Sequence, residues 1–344
     1  MKALVWTAPE RMELQEIATP TPGPCEVLVK VEVVGICGSE IEGYLGHNSL
    51  RVPPLVMGHE FCGIVVACGE GADGFKPGTR VVVNPLSACG GCNACAKRLP
   101  QLCASRRIVG IHRPGAFGEW VVVPASGVVP VSDGISPFRA ALAEPLACSL
   151  RATRRAMERH PGANVVVFGA GGIGLLCAKA AKILGARAVM IIDTNPLRLD
   201  IAAATAADAV FDPRSGDPKD AAAAFGGELG VDVVVDAAGF QPTRSSAVDI
   251  VNPGGTIMNV GLGIDQTSMP VNVLIRNEIE VLGSFCYTEQ DFHDAVRLLE
   301  DGRVTESGWT EIRRLDEGGR AFQELVEGKV TLGKILLAME GERA

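Results

Sequence analysis

Long apolar segments are absent from this sequence. No run approaches the roughly 18 apolar residues of a membrane-spanning helix, and the first residues, MKALVWTAPERMEL, lack an apolar core of signal-peptide length. We therefore expect a soluble, cytoplasmic protein. Blocks of Lys or Arg are absent too, and 32 basic against 40 acidic residues give a net charge of −8. This balance argues against nucleic acid or an anionic membrane as the main partner.

The length of the chain predicts two domains, because 344 residues exceed what one ordinary hydrophobic core serves. Residues 1–86 alternate short β-branched runs, such as 27–35 and 63–69, with Pro and Gly turns. This pattern predicts a mostly antiparallel β region. From Asn164 onward, apolar strands alternate with helical segments, which predicts a parallel sheet covered by helices on both faces.

Four of the eleven cysteines form a C-x2-C-x2-C-x7-C array on a glycine-rich loop. These residues are Cys89, Cys92, Cys95 and Cys103. A disulfide framework is not expected in a reducing compartment. Four thiolates at this spacing can instead enclose a structural zinc ion with no position left for substrate. An iron–sulfur cluster is the competing chemistry, and four unrelated core cysteines are the remaining interpretation.

A second candidate metal site begins with Cys37 and His59. A thiol and an imidazole are a ligand pair suited to Zn²⁺, but a catalytic zinc ion needs a third ligand and an open position. Both residues could equally be core residues. Glu144 lies at the apolar start of a helical segment over 140–157, where a carboxylate is costly to bury unless it is paired or metal-bound. The alternative for Glu144 is a helix-start glutamate favoured by the macrodipole.

An apolar strand, a glycine turn, a helix and a second apolar strand follow one another between residues 164 and 193. The turn has the G-x-G-x-x-G pattern of dinucleotide-binding sites, where glycine permits the tight turn and the close approach of a pyrophosphate. Asp193 ends the second strand, where an acid binds ribose hydroxyls and repels a 2′-phosphate, so NAD is favoured over NADP. Arg198 is close enough in sequence to weaken that preference. The candidate cofactor residues are Gly169, Gly171, Gly172, Ile173, Gly174, Asp193 and Arg198.

The cysteine loop, the glycine pattern and the Gly58-His59-Glu60 segment together resemble the zinc-dependent medium-chain dehydrogenase/reductase family. The resemblance covers the whole chain, and the sorbitol and butanediol dehydrogenase branch is the most similar. It implies an α/β fold in which a doubly wound parallel Rossmann sheet, residues 151–284, is inserted into a GroES-like β domain. The β domain would comprise residues 1–150 and 285–344, with the structural zinc loop at 89–103. The resemblance also implies a homodimer or homotetramer.

The same resemblance assigns roles to particular side chains. Cys37, His59 and Glu144 would ligate the catalytic zinc, and Glu60 would be an outer or alternate ligand. Ser39 would be the hydroxyl that first accepts the substrate's proton. The implied reaction is reversible hydride transfer between NAD and a secondary alcohol, diol or polyol.

The sequence departs from the family pattern at several positions. Glu40 stands where aspartate is usual. Glu42 stands where a relay histidine is common, and it either passes protons itself or is a solvated charge while water does so. Cys286-Tyr287 replaces an Arg-Tyr pair, and the loss of a bidentate donor favours a substrate smaller or less polar than sorbitol, such as a vicinal diol. The candidate pocket walls are Tyr44, Phe117 and Tyr287, of which Tyr44 and Phe117 could as easily be core residues.

Three other functions are compatible with parts of the sequence. A polyol-phosphate dehydrogenase would use Arg51 as a phosphate contact, although the sequence favours a surface arginine there. A non-catalytic, zinc-stabilised nucleotide-binding protein would have a ruined metal site. The residues that remain here and disfavour it are Cys37, Ser39, His59 and Glu144. A nucleic-acid binder with the cysteine loop as a zinc finger is disfavoured by the acidic charge and by the lack of a basic helix beside the loop.

Overall fold

The computed structural model describes residues 1–47 and 49–341. The strands, in chain order, are β1 (Lys2–Ala8), β2 (Arg11–Glu16), β3 (Glu26–Gly35), β4 (Leu55–Val56), β5 (Glu60–Cys68), β6 (Arg80–Val83), β7 (Leu86–Ser87), β8 (Arg107–Ile108), β9 (Trp120–Pro124), β10 (Val128–Pro130), β11 (Asn164–Phe168), β12 (Ala188–Ile192), β13 (Ala209–Phe211), β14 (Val233–Asp236), β15 (Thr256–Asn259), β16 (Glu280–Gly283), β17 (Thr310–Arg314) and β18 (Lys334–Ala338).

The helices are α1 (Gly38–Tyr44), α2 (Asn93–Ala96), α3 (Pro137–Ala140), α4 (Ala143–Met157), α5 (Gly172–Ile183), α6 (Pro196–Thr205), α7 (Pro218–Gly226), α8 (Gln241–Ile250), α9 (Val271–Arg276), α10 (Glu289–Glu300) and α11 (Gly318–Val326). Side chains that cap backbone N–H groups begin several of them, as Asn195 does for α6 and Thr288 for α10. Within the described ranges, no helix is both long and apolar enough to cross a membrane.

The chain folds as two compact units. The first comprises Met1–Glu144, Thr288–Val330 and the chain from Lys334 onward, and the second comprises Pro145–Tyr287 and Thr331–Gly333. The sequence analysis predicted the boundaries between the two domains after residues 150 and 284. The C-terminal part of the predicted β domain, 285–344, is described as far as residue 341.

The first unit is built on a largely antiparallel sheet in the order β10-β6-β5-β3-β18-β17, with β9 also paired to β3. The long strand β3 is its centre, because its valines are buried and it pairs with β5, β9 and β18. A smaller sheet, β2-β1-β4, packs into the same hydrophobic core. Antiparallel pairing of β18 with β3 places Leu336 beside Gly35.

The second unit is a parallel six-stranded sheet in the order β13-β12-β11-β14-β15-β16. The strand order reverses at β11, which lies between β12 and β14. Ligands of open α/β sheets bind at such a switch point, outside the carboxyl ends of the strands. Strands β11 and β14 are buried on both faces, as a sheet covered by helices requires. The predicted α/β fold, with a doubly wound parallel sheet in one unit and a largely antiparallel β structure in the other, is confirmed.

Candidate functional site

The glycine turn of the second unit adopts the geometry that its sequence predicts. Gly169 follows β11 with φ +99°, a conformation that strongly favours glycine. A Cβ at Gly174 would collide with the carbonyl oxygen of Gly169, so a larger side chain cannot occupy that position. Helix α5 therefore begins directly after the turn and directs its N-terminal N–H groups at the switch point, where they can bind a phosphate.

A cavity of about 500 Å³ lies beside this turn. Asp193 is fixed in its wall, because its Oδ2 accepts a hydrogen bond from Ala170 N at 2.7 Å and its Oδ1 accepts one from Asn195 N at 2.8 Å. Gly169, Gly171 and Arg198 also line the cavity. Gly172, Ile173 and Gly174 form the first turn of α5 instead. The remaining walls come from Phe168, Ile192, Thr194, Pro213, Pro218, Ala237, Ala238, Phe240, Pro242, Thr243 and Ser246.

One charged pair behind this cavity was not predicted. Asp236 ends β14 with no exposed surface, and its Oδ1 accepts hydrogen bonds from Ala238 N and Gly239 N at 3.1 and 2.9 Å. The Arg244 guanidinium approaches the other carboxylate oxygen at 3.5 Å. Its Nη1 donates to Ile264 O at 3.2 Å, so the arginine ties a second loop to the turn that lines the cavity. A buried Asp at the end of an apolar strand was the only sequence signal for this pair.

A group of possible metal ligands lies in the first unit. Strands β3 and β5 pair in a register that sets Gly35 opposite Glu60, which brings the residues that follow β3 next to those at the start of β5. As a result, ligand atoms of Cys37, His59 and Glu60 all lie within 4.8 Å of one another. Thiolate, imidazole and carboxylate are a donor set that binds Zn²⁺. Glu60 Oε1 is buried and has no hydrogen-bond partner within the described ranges, as expected of an atom that faces an ion.

Glu40 contacts two of the candidate ligands, Cys37 and His59, through its buried carboxylate. Its Oε1 accepts from Gly58 N at 2.8 Å and lies 2.9 Å from His59 Nδ1, while its Oε2 accepts from Cys37 N at 3.0 Å. Burial, the largest influence, raises the pKa of Glu40. The charge and hydrogen bond of His59, with the Arg51 charge and the Cys37 N–H, together bring the pKa below its usual value. A carboxylate that fixes the far nitrogen of a ligating imidazole sets its tautomer and orientation. Glu40 is therefore placed to fix the orientation of His59.

The charges of the group make it a cation site. Burial would lower the pKa of His59, but Glu40 and Cys37 raise it well above its ordinary value. The metal-free group therefore carries a proton on this imidazole, and a metal ion that binds there replaces the proton. Lys334 lies on the other side and forms an ion pair with Glu60.

Glu144 is placed near this group but is not one of its members. It is buried in the first turn of α4, and its charge is one of those that raise the pKa of Lys334. The ligand atoms that converge within 4.8 Å belong to Cys37, His59 and Glu60. The choice between Glu60 and Glu144 as the third ligand thus stays a prediction, and the distances favour Glu60.

The cysteine loop forms a second group. The sulfur atoms of Cys89, Cys92, Cys95 and Cys103 all lie within 4.8 Å of one another. The Cys89–Cys103 and Cys92–Cys95 sulfur pairs are 3.5 Å apart. Tetrahedral Zn–S bonds of about 2.3 Å place sulfurs about 3.8 Å apart, so the spacing suits one ion. A cluster of several irons would hold its cysteines farther apart, which disfavours the iron–sulfur alternative.

The other candidate residues divide between the site and the core. Ser39 Oγ lies 3.4 Å from Cys37 Sγ. Glu42 is half exposed and lies 3.3 Å from His47 Nδ1. The candidate pocket walls Tyr44, Phe117 and Tyr287 are all buried. Tyr44 and Phe117 pack on Phe322 in the hydrophobic core of the first unit, which favours the core interpretation for both.

The sequence matches known families over most of its length. Residues 23–133 match the alcohol dehydrogenase GroES-like domain, and residues 172–301 match the zinc-binding dehydrogenase family. The chain is 36% identical to L-galactonate-5-dehydrogenase of Escherichia coli (strain K12) over 89% of each protein. It is 32% identical to sorbitol dehydrogenase of Halalkalibacterium halodurans over 98% of this chain and 99% of that protein.

The fold gives the same relationship. 2R,3R-butanediol dehydrogenase from Bacillus subtilis superposes with a TM-score of 0.89 at 29% identity, and the match covers 98% of this chain and 99% of that one. The chain therefore belongs to the zinc-dependent medium-chain dehydrogenase/reductase family, in its polyol dehydrogenase branch, and is an alcohol or polyol oxidoreductase that uses zinc and a nicotinamide nucleotide.

Proposed function

We propose that the protein oxidises a secondary hydroxyl of an open-chain polyol or polyhydroxy acid to a ketone with NAD, reversibly. The observation that carries this proposal is the convergence of Cys37, His59 and Glu60 in one unit of a chain whose other unit has a dinucleotide cavity. A zinc ion bound there would act as a Lewis acid that lowers the pKa of a substrate hydroxyl. A second zinc ion, bound by Cys89, Cys92, Cys95 and Cys103, would be structural.

The protein's own residues would prepare the substrate for this reaction. Cys37, His59 and Glu60 would hold the metal, with Glu144 as the alternative third ligand. Two anionic ligands and one neutral imidazole balance a divalent ion, and carboxylate donates less electron density than thiolate, so the ion would remain a strong Lewis acid. Ser39 would accept the proton that the substrate hydroxyl loses. Hydride would then pass to the nicotinamide, with the protein aligning donor and acceptor.

The preference for NAD rests on Asp193. Both of its oxygens are held by backbone N–H groups at the cavity wall, so the carboxylate cannot swing away from a 2′-phosphate. We expect Asp193→Ser to lower the NAD-over-NADP ratio of kcat/KM by about tenfold, which corresponds to about 1.4 kcal/mol. An unchanged ratio would assign cofactor selectivity to Arg198 or to the loop after Asp193.

The substrate class is argued from the relatives and from the site. L-galactonate-5-dehydrogenase and sorbitol dehydrogenase are named for substrates with several hydroxyl groups. Because Cys286-Tyr287 replaces an Arg-Tyr pair, we keep a vicinal diol as the simplest substrate. A polyol phosphate is a weaker candidate, because Arg51, its proposed phosphate contact, is buried with 3% of its surface exposed.

The test is NAD reduction by purified, zinc-replete protein with secondary alcohols, vicinal diols, polyols, aldonates and polyol phosphates. We expect turnover with the polyhydroxylated compounds, two zinc ions per chain, and loss of turnover but not of NADH binding in Cys37→Ala. Cys68→Ala is the matched control. Glu60→Gln and Glu144→Gln, compared by zinc content, identify the third ligand. Absence of turnover with every alcohol class would overturn the proposal. The homodimer or homotetramer stays a prediction that light scattering tests.

A further inference from the structure

Arg51 is a buried cation rather than the surface residue that the sequence favours. Only 3% of its surface is exposed. Its Nη1 donates to Ser39 O at 2.9 Å, and its Nη2 donates to Ser39 Oγ at 3.2 Å. Two arms of one guanidinium therefore hold the backbone and the side chain of the same serine.

The surrounding structure is shaped to receive this arginine. A Cβ at Gly43 would lie 2.6 Å from Arg51 Cδ and 3.3 Å from its Nε, so glycine leaves the slot that the side chain fills. Arg51 Nε is buried without a hydrogen-bond partner in the described parts of the chain. An interior charge held at this cost indicates a function.

The consequence concerns the Ser39 hydroxyl. A hydroxyl has one proton to donate and two lone pairs that accept. Arg51 Nη2 occupies one lone pair, and Cys37 Sγ, 3.4 Å away, is placed to receive the proton. One lone pair is left, and its direction is fixed by the other two contacts. A fixed cation beside the oxygen also favours release of the serine's own proton as the substrate's proton arrives.

We propose that Arg51 is a positioning residue that orients Ser39 to take the proton of the substrate alcohol. The inference rests on the proposed function. In the step, the Ser39 hydroxyl turns its proton from Cys37 Sγ toward water. The substrate O–H bond breaks and its proton passes to Ser39 Oγ, while the original Ser39 O–H bond breaks and releases its proton to that water. The C–H bond breaks with its electron pair, which passes as hydride to NAD. Arg51 exchanges no proton and acts only through the serine.

A double-mutant cycle tests whether Arg51 acts through Ser39. We expect Arg51→Met and Ser39→Ala each to lower kcat by about tenfold to a hundredfold, part of the range typical of general acid–base catalysis. The double variant should be no slower than Ser39→Ala alone, because the arginine has nothing left to orient. Rate losses that multiply would overturn the inference.

Two further variants guard against a simple loss of folding. Arg51→Lys, which can still donate to Ser39 Oγ, should recover part of the rate. Gly43→Ala should reproduce the Arg51→Met defect because its methyl group displaces the arginine. In every variant, zinc content and the NADH dissociation constant should equal those of the wild type. In the control Arg113→Met, kcat should be unchanged as well. If the wild-type protein oxidises no alcohol, the proposed function is refuted. If the wild type is active and Arg51→Met is equally active, this inference alone is refuted.

Discussion

Lys334 forms an ion pair with Glu60 in the interior of the first unit, where the lysine side chain is 7% exposed and the carboxylate 1%. Burial works against the lysine charge, but Glu60 and Cys37 raise the pKa of Lys334, so it stays protonated. Lys334 Nζ also donates to Ile36 O at 3.1 Å, one residue before Cys37. The lysine thus neutralises one of the candidate metal ligands and anchors the strand end that leads to another.

Removal of this lysine should destabilise the metal-free protein more than the zinc-bound protein. In Lys334→Met, Glu60 becomes a buried charge without its partner, which typically costs about 3–5 kcal/mol. A bound zinc ion supplies positive charge in place of the lysine and should reduce the loss. The measurement is the free energy of unfolding in denaturant, for variant and wild type, with zinc and after chelation.

The matched controls for this prediction are a second lysine and a double variant. Lys329→Met removes an exposed lysine that pairs with Glu327 and should change stability little. Glu60→Gln combined with Lys334→Met removes both charges and should recover stability relative to Lys334→Met. An equal loss of stability with and without zinc would show that Glu60 does not contact the bound zinc ion.

Glu40 should determine how tightly the catalytic zinc is held. Glu40→Gln places an amide NH₂ where the carboxylate now accepts from Cys37 N or from Gly58 N. Loss of such supporting contacts typically lowers metal affinity by about 10-fold to 100-fold. Competition against a chelator should show this decrease for one of two ions. Glu42→Gln, which changes a half-exposed carboxylate, should leave both affinities unchanged.

The sequence predicts those parts of the molecule whose signal is local. The glycine turn and its acid lie within one strand–helix–strand unit, and the four cysteines lie on one loop, so residue type and spacing suffice. Burial of a cation depends instead on partners that the fold brings from elsewhere. Lys334 and the carbonyl it binds are 298 positions apart. Arg51 was misassigned to the surface because nothing near it in sequence shows that Gly43 leaves it a slot.

The aromatic residues illustrate the same limit. Tyr44 and Phe117 are aromatic residues that the sequence alone leaves open as pocket walls or core residues. Phe322, which contacts both, comes from helix α11 near the end of the chain. Only the fold reveals that this contact, rather than a substrate, accounts for their burial.

Arg244 should matter for cofactor binding although it is not among the cavity-lining residues. It pairs with Asp236, which fixes the turn at Ala238 and Gly239. Arg244→Met leaves that carboxylate buried without its cation and frees the adjoining loop. We expect the NADH dissociation constant, measured by fluorescence, to rise by about tenfold, or about 1.4 kcal/mol. The control is Lys182→Met, which removes an exposed ion pair with Asp208 in the same unit. An equal rise in the NADH dissociation constant there would contradict a specific role for Arg244.

Removal of the structural zinc should expose cysteines of unequal reactivity. The backbone N–H and the thiol of Cys95 hydrogen-bond to Cys92 and lower the pKa of Cys92 to about 6. Burial and the interaction with Cys92 raise the pKa of Cys95 to about 11. Because the thiolate is the nucleophile, Cys92 should be alkylated rapidly at pH 7 and more slowly as the pH falls through 6, whereas Cys95 should react appreciably only in strong base.

Peptide mass spectrometry of chelated protein after short pulses of iodoacetamide measures this order. Zinc-loaded protein is the control, and its four loop thiolates should be protected while the metal stays bound. Each alkylation removes a ligand, so brief treatment at pH 7 should also prevent zinc from rebinding to this loop. Equal labelling of Cys92 and Cys95 at pH 7 would show that the loop loses its hydrogen-bonded arrangement once the ion leaves. In that case the metal, and not the chain between Cys89 and Cys103, would be what holds these thiols together.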